Sequence, residues 1–186
     1  MTGASARDLQ GTLERAIATL DRLAPGGTLG LAVSGGSDSL ALLHVATRWA
    51  KRSGRSLAVA TIDHGLRGAA AAEAAAVARQ SRGLGLPHAL LAGDAAGRGN
   101  LQGRARELRY TVLAAWAAGA GLGAVATAHT EDDQAETVLM RLARGAGADG
   151  LAGIAEIRHR AGPPTLTVIR PLLGHGRAEL RAWLKA

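Results

Sequence analysis

Hydrophobic and polar positions follow two different spacings along this chain. Apolar residues recur every three or four positions from Ala6 to Leu23, which predicts an amphipathic helix that Pro25-Gly26-Gly27 ends. Short, mostly apolar runs predict strands at 28–33, 57–62, 88–91, 124–128 and 166–170. The remaining segments predict helices at 38–52, 69–82, 100–118 and 131–144, with a last helix from Arg177.

Strands that alternate with helices are typical of right-handed crossovers and a parallel sheet. We therefore predict an α/β fold, a parallel five-stranded sheet with helices on both faces, and we divide the chain into an N-terminal helix (1–27) and a main domain (28–186). Sheets of this kind bind ligands at the carboxyl ends of their strands. The polar loops that leave strand ends, 34–39, 63–67 and 129–136, should thus converge on one cleft.

The most specific segment is the hexapeptide from Ser34 to Ser39, Ser-Gly-Gly-Ser-Asp-Ser. A glycine-rich turn between a strand and a helix offers backbone N–H groups and a helix N-terminus to an anion, above all a phosphate. The carboxylate of Asp38 is suited to a hard cation such as Mg²⁺. The segment lacks the Gly-Lys-Ser/Thr ending of a Walker A loop and the Gly-x-Gly-x-x-Gly pattern of dinucleotide-binding folds.

A second polar segment, 129–137, is strongly acidic and follows the strand at 124–128. Asp133 and Glu136 are three residues apart on a predicted helix and so share a face. Acidic residues at a helix N-terminus are often only dipole-favoured surface groups. Their position after a strand, with His129 just before them, favours a pair that holds Mg²⁺ on a triphosphate or grips an ammonium group.

Two arginines and one histidine are further candidate site residues. Arg106 and Arg109 lie on one side of the predicted helix 100–118, either as a solvated basic face or as groups that neutralise phosphate charge. His64, at the end of a strand, is a candidate nucleotide contact or a structural histidine.

Composition narrows the classes of partner. The 186 residues carry a formal net charge of +7, nearly all of the positive charge is arginine, and only 2% are aromatic. Arginine suits phosphate, so the charge indicates RNA or a nucleotide, or else a bias of genome composition. The scarcity of aromatic residues argues against a base-stacking surface. There is no cysteine, which is compatible with the cytoplasm, and no apolar run is long enough to span a membrane.

The hexapeptide resembles the PP-loop, Ser-Gly-Gly-x-Asp-Ser, of the ATP pyrophosphatases. Several segments in the same order resemble the tRNA(Ile)-lysidine synthetases within that family. They are Leu31–Ser39, Asp63–Arg67, Ala105–Tyr110, Ala128–Thr137, Arg144–Gly147 with Gly150-Leu151, and Arg170–Leu173.

The resemblance implies a cytoplasmic, ATP-dependent ligase. Such an enzyme adenylates the C2 oxygen of the wobble cytidine in a tRNA(Ile) precursor, and free lysine then displaces AMP. By motif, the cofactor-binding residues are those of the PP-loop and His64, and the catalytic residues are Asp38, Arg106, Arg109, Asp133 and Glu136, with Asp38 and Asp133 as metal ligands. Family members continue into tRNA-binding domains that we expect to be absent here, and several have His-His where this chain has His129-Thr130.

Three other interpretations stay open. A tRNA thiolation enzyme shares the adenylation step but generally uses cysteines, and an NAD or GMP synthetase should lack the segments 128–137 and 144–151. The chain can also be an ATP-binding module without turnover. The sequence does not decide the oligomeric state, and a homodimer stays among the alternatives.

Overall fold

The computed structural model describes residues 6–63, 68–93, 101–145, 147 and 151–186. Within them lie six helices: α1 (Ala6–Leu23), α2 (Ser37–Ser53), α3 (Gly68–Gly83), α4 (Leu101–Gly119), α5 (Glu131–Ala143) and α6 (Arg177–Lys185). The same residues form six strands: β1 (Thr28–Ala32), β2 (Leu57–Asp63), β3 (His88–Ala92), β4 (Leu122–Ala126), β5 (Ile157–Arg160) and β6 (Leu166–Ile169). None of the described helices is long and apolar enough to cross a lipid bilayer.

The strands form one sheet in the order β3-β2-β1-β4-β6-β5. The first five in this order are parallel, as predicted. The prediction of five strands was wrong by one, because β5 pairs antiparallel with β6 at the edge of the sheet. The sequence of β5, Ile-Arg-His-Arg, is mostly exposed and has no apolar run by which a strand could be recognised.

Helices cover both faces of the sheet, as predicted. Leu29 and Leu31 of β1 pack in a core cluster with residues of α1, α2 and α6. Residues of α4 pack in a second cluster with Val125 of β4 and Val168 of β6. Gly30 lies between Leu29 and Leu31, where a Cβ atom would stand 2.9 Å from the ring of Trp116, so glycine allows α4 to approach β1 closely.

The path of the chain brings two polar loops together. After β1 the chain continues to β2 and β3 on one side, and it returns to place β4 on the other side of β1. The carboxyl ends of β1 and β4 are therefore neighbours at the point where the strand order reverses, which is where such sheets bind ligands. β4 ends at Ala126, two residues before the predicted end, so Thr127 and Ala128 belong to the loop.

Candidate active site

A cleft of about 610 Å³ opens at the carboxyl ends of β1, β2 and β4. Its volume is within the range of small-molecule sites. Two of the three loops that we expected there contribute to it, namely 34–39 and 129–136. Of the third, 63–67, only Asp63 is described, so the predicted nucleotide contact of His64 lies outside the described residues.

The loop from Ser34 to Ser39 is organised by the hydroxyl of Ser39. This buried hydroxyl accepts hydrogen bonds from the N–H groups of Ser34 (3.2 Å) and Gly35 (3.1 Å) and donates one to the carbonyl of Gly36 (2.8 Å). Gly35 has a φ of +96°, and a Cβ atom there would stand 3.3 Å from the Cβ of Glu73. The loop is thus closed on itself before any ligand arrives, and the first N–H groups of α2 are left without helical partners.

Asp133 lies in the first turn of α5 and lines the cleft. Its Oδ2 accepts hydrogen bonds from the backbone N–H (2.7 Å) and the hydroxyl (2.9 Å) of Thr130. Burial raises the pKa of this carboxyl, but the bonds from Thr130 and the charge of Arg177 outweigh burial and leave the pKa below its usual value. Asp133 is therefore an ionised acceptor that is fixed in orientation.

Arg177, at the start of α6, joins the two loops. Its guanidinium lies 2.6 Å from Asp133 Oδ1, 2.8 Å from Glu136 Oε1 and 3.4 Å from Asp38 Oδ2. Its backbone N–H donates to Asp132 Oδ2 at 2.7 Å, which fixes the start of α6 beside α5. Three predicted site carboxylates thus converge on one cationic group.

Arg177 was not among the predicted site residues, and neither was Arg181, whose Nε donates to Ser37 Oγ at 3.2 Å. Both arginines line the cleft. The available signal was their spacing of four residues at the start of the last predicted helix, directly after Arg170–Leu173, which places them on one helical side.

His129 lines the cleft and is bonded through Nδ1 to the hydroxyl of Thr127 at 2.9 Å. Burial, helped by the charge of Arg170 and opposed by that of Asp133, lowers the pKa of His129 to about 4. The imidazole is neutral at physiological pH, so it contributes a hydrogen-bonding group and no charge.

Most of the remaining predicted residues line the cleft, and three do not. Arg109 lines the cleft, as do Ser34, Gly36, Ser37, Asp38 and Ser39. Gly35 is on the opposite side of its loop, facing α3. Glu136 and Arg106 do not line the cleft. The Glu136 side chain is 57% exposed and reaches the site through Arg177, whereas exposed Arg106 lies over the ring of Tyr110.

The residues at this site fit Mg²⁺ that is carried by a nucleotide. Asp38 and Asp133 already share one cationic partner, and Mg²⁺ is usually held by one or two carboxylates together with phosphates and water. Within the described part of the chain no group of three or more imidazoles and carboxylates is placed to hold a metal ion. The donor set therefore suits an ion whose remaining ligands come from phosphate and water.

A self-closed glycine-rich turn at a helix N-terminus, open to a cleft at the carboxyl edge of a parallel sheet, defines an α/β nucleotide-binding domain. A family model described as a PP-loop domain matches residues 8–186, and the chain belongs to this family.

Curated relatives agree with the predicted resemblance, which is confirmed. The chain is 54% identical over 159 residues to the tRNA(Ile)-lysidine synthase of Ruegeria pomeroyi, a match that covers 85% of this chain and 37% of that protein. It is 47% identical over 180 residues to that of Novosphingobium aromaticivorans, covering 97% of this chain and 54% of the relative. The chain thus spans about a third to a half of the length of these relatives.

Solved structures support the fold. The chain superposes on the U34-tRNA thiolase NcsA of Methanococcus maripaludis with a TM-score of 0.81 at 19% identity, over 98% of this chain and 65% of that one. It is also similar to the NH3-dependent NAD synthetase of Campylobacter jejuni, with a TM-score of 0.58 at 14% identity, over 96% and 71% of the two chains. At these identities the likeness establishes the architecture alone.

Proposed function

We propose that this chain carries the catalytic site of an ATP-dependent ligase that joins lysine to C2 of the wobble cytidine of a tRNA(Ile) precursor, in the cytoplasm. The observation that carries the proposal is the convergence of Asp38, Asp133 and Glu136 on the guanidinium of Arg177, beside the PP-loop. A site that binds a guanidinium group next to a phosphate-binding loop suits a reaction between an amine and an adenylated substrate.

In the first step, the C2 oxygen of cytidine attacks the α-phosphate of ATP, an O–P bond forms, and pyrophosphate leaves. The PP-loop N–H groups and the N-terminus of α2 are placed to bind phosphate oxygens. Arg109 and Arg181 line the same cleft and can neutralise charge as it shifts to the leaving group. Asp38 and Asp133 are the residues that would hold Mg²⁺, which supplies further neutralisation of phosphate charge when bound.

In the second step, an amine of lysine attacks C2, a C–N bond forms, and AMP leaves with the former C2 oxygen. Asp133 and Glu136 are the candidate partners of the lysine ammonium groups, since they already bind a cation with N–H donors. The lowered pKa of Asp133 makes it a weak base. We therefore assign Asp133 to orienting lysine, and we leave the proton of the attacking amine to solvent.

The test is ATP–pyrophosphate exchange with a tRNA(Ile) transcript that has an unmodified wobble cytidine. We expect exchange that depends on the RNA, and AMP release that further requires lysine. RNA recovered after complete reaction should no longer support exchange, since nitrogen has replaced its C2 oxygen.

Each rival gives a different result in the same assay. ATP binding without exchange indicates an ATP-binding module without turnover. If exchange occurs but lysine does not cause AMP release at any concentration, the chain is another PP-loop adenylating enzyme. Sedimentation of the chain in the assay buffer decides between a monomer and the homodimer that the sequence left open.

A further inference from the structure

Three arginines surround one tyrosine at the β5 edge of the sheet. The guanidinium carbons of Arg160, Arg106 and Arg158 lie 4.7, 5.6 and 5.9 Å from the centroid of the Tyr110 ring. Arg158 and Arg160 are two residues apart on β5 and so point to the same face of the sheet, towards α4, which carries Arg106. We call Arg106, Arg158 and Arg160 the arginine cluster.

The arginine cluster carries more positive charge than the described residues around it neutralise. Arg160 donates to Glu107 Oε2 at 2.7 Å. Neither Arg106 nor Arg158 has a carboxylate within ion-pair distance among the residues that the structure describes. Both are exposed, and three like charges around one ring repel one another. An arrangement of this kind is complementary to a polyanion.

The arginine cluster is continuous with the cleft. Tyr110 and Arg109 line the cleft, and the cluster lies on the ring of the same tyrosine. A strand of nucleic acid with one nucleotide in the cleft can therefore pass over the cluster without leaving the surface.

The chemistry of the surface favours phosphates over bases. All four aromatic residues of the chain lie in its described part, and none of them is exposed, so the bases of a strand find no exposed ring to stack on. The planar guanidinium matches the geometry of a phosphate. Contacts of this type position a nucleic acid without reading its sequence.

We infer that the arginine cluster binds backbone phosphates of the RNA whose cytidine enters the cleft. The inference rests on the proposed function and adds to it a contact on β5, the strand that no sequence pattern indicated.

The experiment measures binding of the tRNA(Ile) transcript at KCl concentrations from about 50 to about 200 mM, for the wild type and the double variant Arg158→Gln/Arg160→Gln. Each lost phosphate contact reduces the slope of log K against log salt by about 0.7 to 0.9. We expect the double variant to lose about 1 to 2 units of slope and about tenfold or more in affinity at the lowest salt. The matched control is Arg82→Gln, an exposed arginine at the far end of α3, which should leave the slope unchanged.

A third variant separates charge from structure. Glu107→Gln removes the carboxylate that pairs with Arg160, so we expect RNA affinity to rise a few-fold, whereas a purely structural ion pair would give equal or weaker binding. ATP affinity should stay at the wild-type value in all three variants, which checks their fold. Equal slopes for the wild type and the double variant overturn the inference, as does equal or weaker RNA binding by Glu107→Gln.

The two proposals fail separately. If the wild type converts tRNA and lysine to product while the double variant binds RNA with an unchanged slope, the proposed function stands and the RNA surface is wrong. If the slopes differ as expected while the wild type shows no exchange, the RNA surface stands and the proposed ligase activity is wrong.

Discussion

Two cavities of nearly equal volume lie at opposite ends of the same sheet. The cleft at the carboxyl ends of the strands measures about 610 Å³, and the cavity at their amino ends about 620 Å³. Carboxylates, hydroxyls and guanidinium groups from the PP-loop, the loop after β4 and the helices α2 to α6 meet in the first. In the second, two of the polar side chains have structural partners. Arg55 donates to the carbonyl of Pro25 and lies over the Trp49 ring, and His88 is bonded to Thr61 at 2.9 Å.

The difference follows from the direction of the strands and not from the size of the cavity. Helices that follow parallel strands begin at the carboxyl edge and end at the amino edge. The carboxyl edge therefore presents free N–H groups and the positive ends of helix dipoles, which suit phosphate. The amino edge presents carbonyls and negative dipole ends. A nucleotide is thus favoured in one cavity and disfavoured in the other, although both have room for it.

The largest expected effect comes from the acidic side of the cleft. Asp133→Asn should lower lysine-dependent AMP release about 100-fold, because it removes a fixed charge from the position where lysine is to bind and one of the two residues that would hold Mg²⁺. Glu136→Gln should cost less than about tenfold, since this side chain is 57% exposed and screened by solvent. Steady-state kinetics at varied lysine measure both. If neither variant changes the rate or the apparent affinity for lysine, the assignment of Asp133 and Glu136 to lysine binding is wrong.

A smaller effect is expected when serine is replaced by alanine, and we compare this substitution at the carboxyl and amino ends of the sheet. Ser39→Ala should weaken ATP binding about tenfold, because two N–H groups of the PP-loop lose their acceptor and the loop loses its shape. Ser56→Ala, at the amino-end cavity, should leave ATP affinity unchanged, since its exposed side chain takes no part in the PP-loop. Calorimetric titration with ATP compares them. Equal losses in both variants would mean that the end of the sheet does not determine where ATP binds.

Local patterns were sufficient to predict most of the fold and several residues of the candidate site. The apolar runs at 28–33 and 124–128 could be assigned as strands of a parallel sheet, and most of their residues are buried. Their adjacency at the centre of the sheet was not predicted. The PP-loop could be predicted because its glycines and hydroxyls are consecutive in the chain, and the structure places five of its six residues in the cleft.

The parts that the sequence did not predict depend on contacts between distant segments. Arg177 is more than forty residues from Asp133 in the chain, and only the packing of α6 beside α5 brings its guanidinium to the carboxylate. β5 is held by its pairing with β6 and carries no apolar pattern of its own. Arg106 and Arg109, predicted as a pair, are separated because α4 turns one towards the cleft and the other over Tyr110.

The smallest expected effect is on the pH dependence of stability. It concerns two histidines, one at each end of the sheet, that are each hydrogen-bonded to a threonine. The pKa of His129 is lowered to about 4, and burial also lowers that of His88. An unfolded histidine takes up its proton near pH 6.5. As the pH drops below that value, the unfolded state therefore binds protons first and stability falls, by at most about 1.4 kcal/mol per pH unit for each group. For His129 the fall continues to about pH 4. Urea unfolding at several pH values should show a flatter profile for His129→Gln than for His88→Gln, because the charge of Arg170 adds to burial only at His129. If His88→Gln flattens the dependence of stability on pH more than His129→Gln does, the pKa of the histidine at the amino end is lowered more. That result would contradict the contrast between the two cavities.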